Sequence, residues 1–339
     1  MEDDPFRSSS AKVSDQTIRN VLQDLKRYNN TFRSVAERYH MSTRGVMKIF
    51  DRYCQMERLP LPRVFCADEI YFSRKRHKKY ILVLLNFFNG AIIDILKDRD
   101  KHTIAVYLSR IPRKERDHVE FVSIDMNDNY RDVFSIYLHN AIIVADSFHV
   151  LKRVNRALDD SRLKVMRRFD TDKKSDEYYL LKYRDSLLYK KELSYDRVPN
   201  RHYRRYISEN EMLGYMLGID PELDKVYSLY HRYVYFNGND YSSDVCAAEN
   251  ELNMIISDYK LSGIKPFIDL ADTLEYWKKE IVSSFLIVDK RRVSNGPIEG
   301  RNSLMKKILH LANGYDSFLR FRNRVMYSLN RYSMHSFDN

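Results

Sequence analysis

Three strand patterns in close succession constrain this chain more than any other feature. Arg63–Phe72, Tyr80–Phe88 and Ala91–Leu96 are short apolar runs rich in β-branched and aromatic residues. Asn89-Gly90 lies between the last two. That pair favours a hairpin, because both residues tolerate positive φ. The pattern then alternates. Thr103–Ile111 reads as an amphipathic helix, Arg113–His118 as a charged loop, and Val119–Ile124 as a fourth strand. A helix over Asn129–Leu138 leads to the apolar run Ala141–Ala145, a buried fifth strand, and another helix opens near Ser147. The first three strands can pair antiparallel through short turns. The last two arrive after helical crossovers and are expected parallel to their neighbours. The spacing predicts an α/β fold: a mixed five-stranded sheet with helices, its first part spanning 63–158.

Helical patterns flank this block. Residues 1–14 read as a polar, disordered tail. Residues 15–58 carry Ile18, Val21, Leu22 and Leu25 at helix spacing, then two short helices meeting near His40–Ser42. Ser42 is a good N-cap for the second of these, and Ala36 and Val46 suit a helix crossing. The arrangement reads as a helix-turn-helix, with Thr43, Arg44 and Lys48 facing DNA. His40 stands in the turn where such motifs usually place Gly. Leu59-Pro-Leu-Pro62 is a linker. Residues 159–289 are rich in Tyr, Lys and Arg, lack convincing strands, and read as an all-helical insertion. Within it Trp277 shares a helix face with Leu270, Leu274 and Ile281, which predicts a packed core residue. Residues 290–333 return as two helices, one opened by Asn295-Gly-Pro and stopped by Asn313-Gly314.

The chain carries 58 Lys and Arg against 47 Asp and Glu, a net charge of +11. A balance of that sign suits a polyanionic partner. Cys54, Cys66 and Cys246 lie far apart, so neither a disulfide framework nor a cysteine zinc site is expected, and a reducing cytoplasm fits. No apolar run is long enough to span a bilayer.

Asp68 sits inside the first strand, where Asp is disfavoured, and Asp125 ends the fourth. Asp125 also has a plain use, as the start of a turn. If the two strands are neighbours, the acids meet across the sheet, and like charges so close call for a cation. Carboxylate and water ligands suit Mg²⁺ or Mn²⁺, and two such ions can serve phosphodiester chemistry. A third acid would complete the site. Glu299 stands in the first turn of its helix, where a carboxylate is favoured in any case.

Five blocks carry a resemblance that composition does not. They are Ala67-Asp-Glu-Ile, Val122-Ser-Ile-Asp-Met-Asn-Asp-Asn-Tyr130, Val144-Ala-Asp-Ser-Phe-His-Val-Leu-Lys152, Ser294-Asn-Gly-Pro-Ile-Glu-Gly-Arg-Asn302 and Gly314-Tyr-Asp-Ser-Phe-Leu-Arg-Phe-Arg322. In this order they resemble the ISL-three family of bacterial insertion-sequence transposases. The resemblance implies an RNase H-like catalytic core interrupted by the helical insertion, with Asp68, Asp125 and Glu299 as catalytic, metal-binding acids. Asp146 stands either as a supporting metal ligand or as an alternative second acid, with Asp125 ranked first. His149 and Asn302 are expected to support the site. Lys306, Lys307, Arg320, Arg322 and Arg324 are candidates for holding phosphates. The implied reaction is hydrolysis at element ends followed by strand transfer into target DNA. Double-stranded DNA, both inverted repeats and target, is the implied partner, bound by a homodimer or higher oligomer. A non-cutting regulator that uses the helix-turn-helix is the alternative. Members of the family commonly carry a cysteine-rich zinc-binding segment, and this sequence contains no such cluster.

Overall fold

The computed structural model describes residues 13–73 and 79–336, so the expected tail lies outside the described residues as far as residue 12. The chain divides into two compact units: residues up to 144 together with those from 294 onward, and residues 145–293.

The first unit opens with three helices: α1 (Asp15–Lys26), α2 (Phe32–Arg38) and α3 (Thr43–Tyr53). Each starts at a side-chain N-cap, of which the sequence reading named Ser42. Ser14, Thr31 and Ser42 accept backbone N–H bonds as N-caps, and Thr31 with Ser34 forms a reciprocal capping box. Their apolar faces close on one core containing Leu22, Phe32, Ala36, Val46 and Phe50. His40 turns the chain between α2 and α3 at φ 49°, the left-handed region that its position asks for.

The sheet follows: β1 (Val64–Tyr71), β2 (Tyr80–Asn86), β3 (Ile92–Leu96), β4 (Phe121–Ile124) and β5 (Ile142–Ala145), in the order β3-β2-β1-β4-β5. β1 pairs antiparallel with β2 and parallel with β4, and β2 pairs antiparallel with β3. Gly90 takes φ 66° in the β2–β3 turn, as the Asn-Gly pair predicts. Helices α4 (Lys101–Ser109), α5 (Arg113–Arg116) and α6 (Asp128–Tyr137) lie between these strands in sequence. The expected charged loop at 113–118 thus contains a helical turn. Its Glu115 anchors the proline linker, accepting from the Arg58 guanidinium and the Leu61 N–H.

The second unit holds α7 (Ser147–Met166), α8 (Asp176–Tyr183), the hairpin β6 (Val198–Asn200) and β7 (Arg205–Ile207), α9 (Glu209–Leu217), α10 (Pro221–Gly238), α11 (Val245–Leu261), α12 (Lys265–Tyr276) and α13 (Lys278–Ser283). A second small hairpin, β8 (Ile287–Val288) and β9 (Arg291–Arg292), ends it. α7 packs on α10 and α12, and α11 on α10 and α12. Trp277 is buried with Leu270, Leu274 and Ile281, as expected. The two hairpins correct the expectation of an all-helical segment. They are held by turn chemistry, with Asp289 and Lys290 both at positive φ, so no alternating apolar run announces them. No helix among the described residues is long and apolar enough to cross a membrane.

The chain returns to the first unit as α14 (Gly296–Leu311) and α15 (Phe318–Leu329). α14 packs on β1 and α15 on β3.

Candidate active site

β1 and β4 bring the first two acids side by side. Ala67 is in register with Ile124 on the parallel neighbour, and Asp68 and Asp125 are the next residue on each chain. Parallel strands lie about 4.8 Å apart, so the two carboxylates leave the same end of the sheet together. The Asp68 carboxylate accepts the Glu69 backbone N–H at 2.8 Å on one oxygen and the Asn302 side-chain amide at 2.7 Å on the other.

Successive strand residues point to opposite faces, and β1 uses this alternation. Asp68 turns toward α14, whereas Glu69 turns toward α6. Glu69 accepts the Tyr130 hydroxyl at 3.0 Å and pairs with the Arg99 guanidinium. Burial, then the Glu69 and Asp125 charges, raise the Tyr130 hydroxyl far above the ordinary tyrosine range. Tyr130 therefore stays a neutral donor beside these acids. Glu69 and Tyr130 are constituents that sequence reasoning missed. The adjacency of Glu69 to Asp68 was the available signal, and nothing in sequence pointed to Arg99 or Tyr130 as its partners.

The start of α14 is fastened to β1 twice. The Cys66 thiol donates to the Ser294 carbonyl at 3.3 Å, and Asn302 reaches Asp68. Glu299 is exposed one turn before Asn302, and residues three apart share a helix face. Asn302 is 5% exposed, and its side-chain oxygen has no hydrogen-bond partner. The structure therefore brings together Asp68, Asp125 and the helix that carries Glu299 and Asn302.

Asp146 follows β5 and belongs to the second unit, where it is 1% exposed. Its charge acts on half-buried Arg292, opposing the downward pull of desolvation on that guanidinium. Arg292 is fixed by the Ser284 and Asn237 carbonyls, each at 2.7 Å. His149 donates its backbone N–H to the Asp146 carbonyl at 3.1 Å, and its ring stands edge-on to Phe148.

The donor set is made of hard oxygens, which suits Mg²⁺ or Mn²⁺ in kind. In spacing it is not closed. Among the described residues, no three His, Cys, Asp or Glu side chains stand close enough to hold an ion.

The basic candidates separate into two groups. Arg44, Lys48, Lys306 and Lys307 are exposed, and Thr43 is half-buried beside a cleft of about 630 Å³ that Arg33 and Asn313 also line. The three arginines of α15 are already engaged by the protein, Arg324 buried and Arg320 and Arg322 half-buried. Arg320 grips the Asp51 carboxylate of α3 with Nε and Nη2. Arg322 bonds Asp94 at 2.5 Å and the Met56 carbonyl at 2.7 Å. Arg324 is 1% exposed and donates to the Arg27 and Asn30 carbonyls. Each is thus engaged by groups of the protein itself, although Arg320 also lines the cleft beside Thr43.

A mixed five-stranded sheet of this order, with flanking helices, is consistent with the RNase H-like core of transposases. The sequence narrows the class: the family model described as transposase, that of the ISL-three DDE type, matches residues 65–325, and the chain belongs to this family. It is similar to the transposase for insertion sequence element IS1557 of Mycobacterium tuberculosis, from both strain CDC 1551 / Oshkosh and strain ATCC 25618 / H37Rv. Each is 30% identical over 115 residues, which is 34% of this chain and 24% of the relative. The match thus spans about a quarter of the relatives' length.

Proposed function

We propose that this chain cuts DNA at the ends of an insertion element and joins the freed ends to target DNA, using Asp68, Asp125 and Glu299. The observation that carries the reading is the convergence on β1: Asp68 beside Asp125 on parallel neighbours, with α14 tied to Asp68 through Asn302. A divalent ion, Mg²⁺ or Mn²⁺, would supply nucleophile activation and charge neutralisation at the phosphodiester. The protein's part is positional. Glu69, held by Arg99 and Tyr130, keeps its charge off the Asp68 face. Asn302 orients the Asp68 carboxylate, and the first turn of α14 presents Glu299 on the same side. Asp146 is assigned a supporting place, with His149 at the start of the same helix.

The helices α2 and α3 act as a helix-turn-helix, with Thr43, Arg44 and Lys48 reading the inverted repeats and Lys306 and Lys307 holding phosphates. The segment between β5 and α14 is then an insertion in the catalytic core. Two element ends must be processed together, so a homodimer or higher assembly on DNA is the working form.

The test is cleavage of labelled element-end duplex with Mg²⁺ or Mn²⁺. Asp68→Ala, Asp125→Ala and Glu299→Ala should each lower the rate by at least about a hundredfold while leaving duplex binding intact. Cutting that survives Asp125→Ala and fails in Asp146→Ala would move the second acid to Asp146. Tight binding without any cutting by the wild-type chain would make it a DNA-binding regulator.

A further inference from the structure

The second unit carries an exposed feature that the proposed site leaves without a role: the β6–β7 hairpin. Its connection runs Arg201-His-Tyr-Arg204 and continues into Arg205 on β7. All three arginines are exposed. Among the described residues, Arg201 and Arg204 form no hydrogen bond or ion pair. The surrounding carboxylates are already matched, Asp176 with His202 and Glu211 with Arg197.

The tip is internally braced, which a solvated surface loop has no need to be. Asn200 is 6% exposed and works as its internal brace. Its side-chain oxygen accepts the His202 and Tyr203 N–H groups at 2.9 and 3.2 Å, and its amide donates to the Tyr179 hydroxyl at 3.1 Å. The His202 ring stacks flat on Tyr179, centroids 3.8 Å apart. Arg205 is aimed by a bond to the Tyr215 hydroxyl at 2.9 Å and by the faces of Tyr203 and Tyr215. Arg204 stands at φ 50°, a conformation that Gly or Asn adopts at less cost. A strained arginine on a braced tip is a reason to look for a ligand of opposite charge.

We propose that this hairpin is a second DNA contact, in which Arg201, Arg204 and Arg205 hold backbone phosphates of a duplex. The proposal rests on the transposase reading for its choice of DNA. A two-stranded ribbon is narrow enough to follow a groove, and the guanidinium fork matches phosphate oxygens. Pre-ordering of the tip lowers the entropy lost on binding. Such contacts carry no base readout, so this surface adds affinity for any duplex, unlike α3.

The experiment is a salt titration of duplex binding by the full chain, followed by fluorescence anisotropy with a random-sequence duplex. The Arg201→Ala, Arg204→Ala, Arg205→Ala triple variant removes exposed side chains only and leaves Asn200 and Tyr179 in place. The slope of log Kd against log salt should become shallower by about 2–3, and Kd should weaken at least about tenfold near physiological salt. The control removes as much charge elsewhere on the same unit: Arg156→Ala, Lys260→Ala and Lys265→Ala, all from exposed ion pairs. It should leave the slope close to wild type. An unchanged slope in the hairpin variant, or an equal loss in the control, overturns the hairpin contact and leaves the transposase reading standing. A wild-type chain that binds no duplex overturns both.

Discussion

At the scale of single residues, neighbours on one strand have opposite tasks. Asp68 was legible because an Asp inside an apolar strand is unusual. Glu69, next to it, gave no sign that Arg99 and Tyr130 would claim it on the other face. Cys54 is another such case. It is fully buried in the trihelical core, and burial pushes its thiol up to about 12, against an ordinary 9.0. Nearby Arg324 and Lys26 pull it down by less. The folded protein thus keeps a proton that the unfolded chain releases. Its contribution to stability is complete below pH 9 and is lost as pH rises from there toward 12. Cys54→Ala should make the fall of the urea midpoint between pH 8.5 and 10.5 shallower, by an amount equivalent to about 1 kcal/mol per pH unit. Exposed Cys246 should alkylate first, with Cys54 and buried Cys66 protected until unfolding.

At the scale of elements, α15 shows what a sequence conceals. Arg320, Arg322 and Arg324 look like a basic stripe, because a sequence displays charge and hides the partner. In the structure they reach α3, Met56 just after it, β3 and the α1–α2 turn, so the helix is a clamp. Tyr327 adds to it, entering the trihelical core and donating to the Leu22 carbonyl at 3.1 Å. Arg324→Ala should cost about 3 kcal/mol in urea unfolding, from two unsatisfied carbonyls and a cavity. Lys306→Ala, an exposed change, should stay within about 0.5 kcal/mol. The long elements were legible for physical reasons. The sheet strands bury apolar runs, and Ser42 caps α3 at the predicted place. The β6–β7 and β8–β9 hairpins were not, since strands of two and three residues leave no period to read.

At the scale of the whole molecule, the two units differ in how the chain builds them. Residues 145–293 are continuous in sequence and close their own core, with Tyr233, Tyr259, Phe267 and Trp277 buried. Produced alone, this segment should give a helical circular dichroism spectrum and a single cooperative thermal transition. A non-cooperative melt would show that its core depends on the remaining chain. The other unit is split, and its two pieces are separated by the entire second unit.

That split has a consequence during synthesis. The ribosome delivers Asp68 and Asp125 before the second unit, yet Glu299, Asn302 and the clamp helix only after it. A nascent chain has its sheet strands but neither the α14 side of the site nor the helix that secures α1–α3. Any chemistry that needs Asp68 and Glu299 together is therefore withheld until α14 has been made. A nonsense codon before α15 removes the anchor of the trihelical unit, and one before α14 also takes Glu299 and Asn302. The order of the chain itself sets a sequence of assembly: the α14 side of the candidate site is added only after the whole second unit has been made.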